Sequence, residues 1–251
     1  MSHHKLETQE LFFSYPDGNT VIEGISFRIS HGEAVGIVGA NGAGKSTLLM
    51  LLMGILTPSS GKISVGDIEV TKKTIPLIRQ HLGMVLQNPD DQLFMPTVYE
   101  DVAFGPRNMK LSEKEVEQRV ESALELVGIS HLKHRPPYRL SGGEKRAAAI
   151  ASVMSMTPDL LIMDEPTSNL DPKARRRTMN LMMQFEHTRV IASHDLDMIL
   201  EVCPRTIVLK AGRIAADGDT RTILTNKELL EGCNLEMPYS LQNCPICGAS
   251  K

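Results

Sequence analysis

The run Ala34-Val35-Gly36-Ile37-Val38 leads straight into Gly39-Ala40-Asn41-Gly42-Ala43-Gly44-Lys45-Ser46, and that loop leads into an apolar stretch from Leu48 to Met53. A short β-branched run bounded by glycine reads as a buried strand, and Lys45 to about Leu52 as a helix. Strand, glycine loop and helix in this order turn backbone amides toward a phosphate. Gly39, Gly42 and Gly44 permit the tight turn. Lys45 is placed to bridge β- and γ-phosphate oxygens, and Ser46 to offer a hydroxyl to Mg²⁺. A chain built around this unit is expected to be an α/β protein that binds a nucleoside triphosphate.

A second glycine-rich element, Leu140-Ser141-Gly142-Gly143-Glu144, says how the triphosphate is used. Ser141 and Glu144 have the spacing of a capping box. Gly142 and Gly143 leave the first amides of the following helix, Gly142 to about Met156, uncovered, and such a helix end is an anion site. One chain therefore carries two phosphate-binding ends. The simplest geometry that uses both is a head-to-tail pair of chains with each ATP clamped between them.

The apolar strand Leu160-Leu161-Ile162-Met163 ends in Asp164-Glu165. Isolated charge beside a core is costly, so the pair points to chemistry: Asp164 to hold Mg²⁺, Glu165 to orient or deprotonate the attacking water. The bland alternative is a solvated acidic pair in the next turn. His194 follows the strand Arg189 to Ala192, between Ser193 and Asp195, and is suited to donate to the γ-phosphate as charge develops. Gln87 ends the strand Gly83 to Leu86 and is a candidate to reach metal or water. Tyr15, in a loop before the first strand pair, is suited either to stack on adenine or to fill a turn.

The rest of the chain frames these motifs. Leu11 to Phe13 and Ile25 to Ile29 read as strands around the turn Pro16-Asp17-Gly18-Asn19, Ile63 to Val70 as a hairpin, and Thr206 to Lys210 with Arg213 to Asp217 as another. Between Asn88 and about Pro137 the character becomes helical. Ser112 and Glu115 form another capping box, Val116, Val120, Ala123, Leu124 and Val127 recur at helical spacing, and Gly128 supplies a stop. Lys173 to about Phe185 and Asp195 to Val202 read as further helices. After about Glu228 the pattern weakens.

Net charge is −3 over 251 residues, so no nucleic-acid partner is expected. The longest apolar run is far short of the roughly 20 residues that cross a bilayer, and Met1 to Lys5 contains no apolar signal region. A cytoplasmic location follows as the expectation, with any membrane role exercised through a partner.

Together these residues resemble the ATP-binding cassette (ABC) ATPases over about residues 5 to 228. Tyr15 resembles their adenine-stacking aromatic, Gly39 to Thr47 their Walker A, Gln87 their Q-loop, and Leu140 to Glu144 their signature. Leu160 to Glu165 resembles their Walker B with its glutamate, Ser168-Asn169-Leu170-Asp171 their D-loop, and His194 their switch histidine. The resemblance implies a P-loop NTPase fold with a RecA-like core (about 1–87 and 159–228). An antiparallel N-terminal β-subdomain and an inserted helical subdomain (about 88–158) complete it. It implies ATP contacts from Tyr15, Gly39, Asn41, Gly42, Ala43, Gly44, Lys45, Ser46, Thr47, Ser141, Gly142, Gly143 and Glu144, and Mg²⁺ held by Ser46, Gln87 and Asp164. Glu165, His194, Lys45 and Gln87 would act on the chemical step.

Gln87 to Phe94 and Thr97 to Pro106 resemble the ATPases of energy-coupling-factor importers, especially the cobalt and nickel group. That implies a homodimer, or a heterodimer with a related ATPase, on the cytoplasmic face of a membrane transporter subunit. Phe94, Met95 and Phe104 would then either touch that partner or pack inside the helical insert. An ATPase acting on DNA or the ribosome is the competing class, but the interval from Gln87 to Ser141 is too short for a coiled-coil insert, and the chain carries one cassette. A nucleotide sensor without hydrolysis would not need both Glu165 and His194. The tail of residues 229–251 carries Cys244-Pro245-Ile246-Cys247, half of a Zn²⁺ knuckle, with Cys233 as a candidate third ligand.

Overall fold

The computed structural model describes residues 4–242 and divides into two compact units, one joining the chain up to Ile78 with that from Thr188 onward, the other spanning Arg79–His187. The first unit begins with β1 (His4–Ser14), β2 (Thr20–Ser30), β3 (Ala34–Val38), α1 (Lys45–Leu52), β4 (Ser60–Val65), β5 (Ile68–Glu69) and the single turn α2 (Ile75–Ile78). The second holds β6 (Leu82–Val85), α3 (Val98–Asn108), α4 (Glu113–Leu126), α5 (Gly142–Met154), β7 (Leu160–Asp164) and α6 (Pro172–Gln184). The chain then returns to the first with β8 (Thr188–Ala192), α7 (Leu196–Val202), β9 (Arg205–Lys210), β10 (Arg213–Asp219), α8 (Thr220–Thr225) and α9 (Lys227–Gly232).

The first unit contains an antiparallel sheet in the order β2-β1-β4-β5 and the strands β10-β9-β3-β8, in which β3 runs parallel to both neighbours. All five residues of β3 are buried, as expected for a parallel strand covered on both faces. Gly36 is needed there, because a Cβ would lie 2.8 Å from Ile199 of α7. In β2 the core side chains are Ile22, Ile25, Phe27 and Ile29. The odd step from Ile22 to Ile25 coincides with a register shift against β1 and with Gly24 at φ 68°, so a bulge re-aims the apolar face.

The second unit packs α3, α4 and α5 together and pairs β6 parallel to β7. Helix α4 starts at the complete Ser112–Glu115 capping box, a feature that contributes about 1 kcal/mol, and is followed by Gly128 at φ 62°. Helix α3 was not legible as a helix in the sequence. Its buried residues Val98, Asp101, Val102, Ala103 and Pro106 include an acid and a proline, which blur the apolar period.

The architecture is the α/β P-loop fold with an antiparallel β-sheet and an inserted set of helices. Beyond Glu228 the chain is still packed: Leu230 and Cys233 are buried, and the amides of Tyr239 and Ser240 donate to the Asp197 carboxylate at 3.0 Å. Few anchors hold this stretch, so it leaves little period in the sequence. Cys244 and Cys247 lie outside the described residues.

Candidate functional site

In the first unit, β3 delivers the chain into the phosphate loop at Gly39. A Cβ on Gly39 would sit 2.5 Å from the Leu209 carbonyl oxygen and 2.9 Å from the Ala43 Cβ, so only glycine lets the loop lie against β9. Gly42 and Gly44 take φ of 80° and 102°, conformations that side chains disfavour. Asn41 and Gly42 are exposed, Ala43 and Gly44 buried. Helix α1 has no side-chain N-cap and no acid in its first turn, so its first amides are left for an anion. Lys45 is buried, and its Nζ donates to the carbonyls of Gly39 at 2.7 Å and Ala40 at 3.3 Å. The cation thus curls back over the loop where phosphate charge would lie. Ser46 is half-buried beside it.

Tyr15 lies between β1 and β2. Its hydroxyl is 3.2 Å from Thr47 Oγ1, and its ring meets Phe13 edge-on at 4.9 Å. The aromatic is therefore fixed to the first turn of α1 rather than loose in a turn.

His194 is placed by strand register. Ile37 of β3 pairs with Ala192 of β8, so Gly39 and His194 each stand two residues past the paired positions. Ser193 is fully buried and its amide donates to the Ile37 carbonyl at 3.1 Å. Asp195 then caps α7 by accepting from the Met198 amide. His194 is exposed between these two anchors. Ligand sites of parallel sheets form at this carboxyl edge.

In the second unit the same logic applies to β6 and β7. Val85 pairs with Met163, so Gln87 and Glu165 each stand two residues past the pair. Asp164 and Glu165 are 5% and 6% exposed, which excludes the solvated turn. Glu165 has φ 46°, a left-handed conformation costing on the order of 1–3 kcal/mol in a non-glycine residue. The Glu165 carbonyl accepts from the Ser168 hydroxyl at 2.9 Å and amide at 3.2 Å, which holds the strained turn into Ser168 to Asp171.

The Ser141–Glu144 capping box of α5 is complete: the Ser141 amide donates to Glu144 at 2.7 Å and the Glu144 amide to Ser141 Oγ at 3.4 Å. The Ser141 amide, and after it the Ser141 hydroxyl, hold the Glu144 carboxyl below the usual range. The two glycines differ. Gly142 is exposed with open space where a Cβ would go, whereas a Cβ on Gly143 would come 3.0 Å from Ala174 of α6. Gly142 offers the open approach, and Gly143 allows α5 to lie against α6.

Sequence reasoning assigned no role to Arg146. The side chain is 2% exposed. Its guanidinium donates to the Leu86 carbonyl at 2.6 Å and the Gln87 carbonyl at 2.5 Å. Burial draws its pKa down, and the negative charge of Asp164 acts against that. Lys145 donates to Asp90 at 2.6 Å.

Phe94 and Phe104 are 64% and 41% exposed and stack edge-to-face at 5.1 Å. Buried Asp101 shapes their loop by accepting from the amides of Phe94 and Met95 at 3.0 Å each; Met95 itself is half-buried. Cys203 and Cys233 are buried thiols, and burial pushes Cys203 up to about 12. Among the described residues no group of three or more His, Cys, Asp or Glu is arranged to hold a metal, and no helix is long and apolar enough to cross a membrane.

The ABC transporter family model matches residues 22–168, a span that holds the phosphate loop, Gln87, the signature and Asp164-Glu165. A putative ABC transporter ATP-binding protein of Geobacter sulfurreducens is 60% identical over 99% of this chain and 100% of its own length. The energy-coupling factor transporter ATP-binding protein EcfA of Methanothermobacter thermautotrophicus is 42% identical over 93% of this chain and 76% of its own. The solved structure of cbiO1 from Clostridium perfringens, part of the ABC transporter complex cbiONQ, superposes with TM-score 0.82 at 40% identity, covering 93% and 95% of the two chains. These likenesses show that this chain belongs to the ABC transporter family as an ATP-binding, ATP-hydrolysing subunit.

Proposed function

We propose that two subunits close head to tail on two Mg-ATP and that this closure drives solute import through an integral membrane partner. The observation that carries the reading is the pair of contrasting helix ends: α1 without a side-chain cap or first-turn acid, and α5 with Gly142 open to solvent. In this reading Lys45 and the loop amides hold the phosphates, and Tyr15 stacks on adenine. Ser46 and Asp164 would hold Mg²⁺, with Gln87 as a further candidate to reach it. The ion would neutralise β- and γ-phosphate charge. Glu165 positions water, and His194 and Lys45 stabilise developing charge. Ser141, Gly142 and Gly143 of one subunit complete the site of the other.

The likeness to EcfA and to cbiO1 supports an energy-coupling-factor type of importer, for cobalt, nickel or a vitamin, with the subunit peripheral on the cytoplasmic face. The exposed Phe94–Phe104 pair fits an apolar membrane-subunit contact. The dimer is of identical chains or of two related ones. A zinc-binding tail rests on Cys244 and Cys247 alone, because the described thiols are buried; zinc content of the protein against a Cys244→Ser/Cys247→Ser variant decides it.

Glu165→Gln tests the central reading. ATP affinity should be retained, turnover should fall about 10²–10⁴-fold, the span of a lost general base, and an ATP-dependent dimer should accumulate. Wild-type turnover, or an enforced monomer hydrolysing at full rate, overturns it.

A further inference from the structure

Helix α5 is stitched to the loop after β6 by three successive side-chain links. Gln92 accepts from the Leu86 amide at 3.0 Å and donates to the Ala149 carbonyl at 2.8 Å and to Ser152 Oγ at 3.0 Å. Lys145 reaches Asp90 from one side. Arg146 reaches the Leu86 and Gln87 carbonyls from the other. Gly142 and Arg146 are four residues apart and so share a face of α5. Both line a cleft of about 330 Å³ that also holds Gln87, Asp90, Lys145 and Asn169.

The Arg146 link is expensive. A guanidinium 2% exposed to water has lost nearly all its hydration, and its Nε has no hydrogen-bond partner. An apolar side chain of similar length would fill the same space without that cost, since replacing buried charge by hydrophobic residues is often neutral or stabilising. What such a side chain cannot do is fix two adjacent carbonyls in one orientation. A planar fork does this, and a point-charge ammonium does it less well. Fixing the Leu86 and Gln87 carbonyls fixes the peptide from which the Gln87 side chain departs.

We infer that Arg146 is a positioning residue that locks the Gln87 backbone to the signature helix, so that a subunit's own glutamine and the Gly142 tip it lends to its partner move as one body. Gly142 sits one helical turn from the lock, so a shift of the loop after β6 is transmitted to the tip without slack. The inference rests on the reading of Gln87 as a metal- or water-directed residue.

The test compares Arg146→Met, Arg146→Lys and Gln87→Ala in the full-length protein. Binding of a fluorescent ATP analogue should be unchanged within about twofold in the two arginine variants, because the lock leaves phosphate binding alone. The kcat of Arg146→Met should fall about 10²-fold, the penalty for misplacing a group by about 1 Å, and that of Arg146→Lys by about tenfold, a partial rescue. Hydrogen exchange should accelerate in residues 86–92 in the nucleotide-free Met variant while residues 142–154 keep wild-type protection. Wild-type kcat in both arginine variants overturns the inference. So does wild-type exchange over 86–92, or a parallel loss of ATP affinity and kcat. If Arg146→Met does not fold, the Lys variant decides by the same criteria. Gln87→Ala at wild-type kcat would instead sink the reading of Gln87 while leaving the exchange result as evidence on the lock.

Discussion

Gly39 and His194 each leave the sheet two residues beyond the paired Ile37 and Ala192 of adjacent parallel strands. The first glycine of the phosphate loop and the histidine are 155 positions apart in sequence and reach the same edge because β3 and β8 share a register. The Ser193 amide bonded to the Ile37 carbonyl closes that edge and leaves the imidazole exposed.

The glycines of the two proposed phosphate-binding elements should respond differently to alanine. Gly39→Ala puts a methyl 2.5 Å from a backbone oxygen, a clash that neither strand can relieve without moving, so stability should fall by about 1–3 kcal/mol and ATP binding should be lost. Gly142→Ala meets nothing within 4 Å. Its melting temperature and ATP affinity should stay at wild type while turnover drops about 10²-fold through misalignment. Thermal melts, nucleotide titration and phosphate release measure this, and full turnover in Gly142→Ala would remove the signature from the mechanism.

The Glu144 cap sets a pH dependence. Its folded pKa is lowered, first by the Ser141 amide and then by the Ser141 hydroxyl. The cap's contribution is therefore present above the ordinary glutamate pKa and is lost as pH falls through the lowered folded value. Melting temperatures of wild type and Glu144→Ala should differ by a constant amount at neutral and mildly acidic pH, and converge only below the usual carboxylate range. A difference that grows on acidification would contradict the assignment.

Cys203 should be chemically silent. With its thiol pushed up to about 12 and its side chain buried, almost no thiolate exists at pH 8. A thiol reagent should leave Cys203 unmodified in the native Cys233→Ser/Cys244→Ser/Cys247→Ser protein and modify it fully after denaturation. Rapid native labelling would show that the α7–β9 junction opens.

The aromatic pair should matter only in the assembled transporter. Phe94→Ser/Phe104→Ser removes an exposed edge-to-face contact, so the isolated subunit should keep its stability within about 0.5 kcal/mol and its ATP affinity. Recovery of the subunit with solubilised membranes should fall sharply. Undiminished recovery would move the docking surface elsewhere.

The motifs bearing on ATP were legible because their chemistry is local. A phosphate loop needs glycines at fixed offsets, a capping box needs Ser141 and Glu144 three apart, and a buried strand ending in Asp164-Glu165 announces itself by contrast. Helix α3 was not legible, because Asp101 and Pro106 interrupt its apolar period, and neither was the packed stretch around Leu230. Arg146 was passed over because nothing in its neighbours reveals that its side chain is buried, or that it spans about sixty positions to the carbonyls of Leu86 and Gln87.

Sequence alone marked out the segments proposed to hold a triphosphate, since their backbone geometry is set locally by glycine and capping. Tertiary structure alone decided which strands share a register and therefore which loop ends meet, and which charges lie buried. Register and burial are set by packing between segments distant in the chain, and no local pattern encodes them.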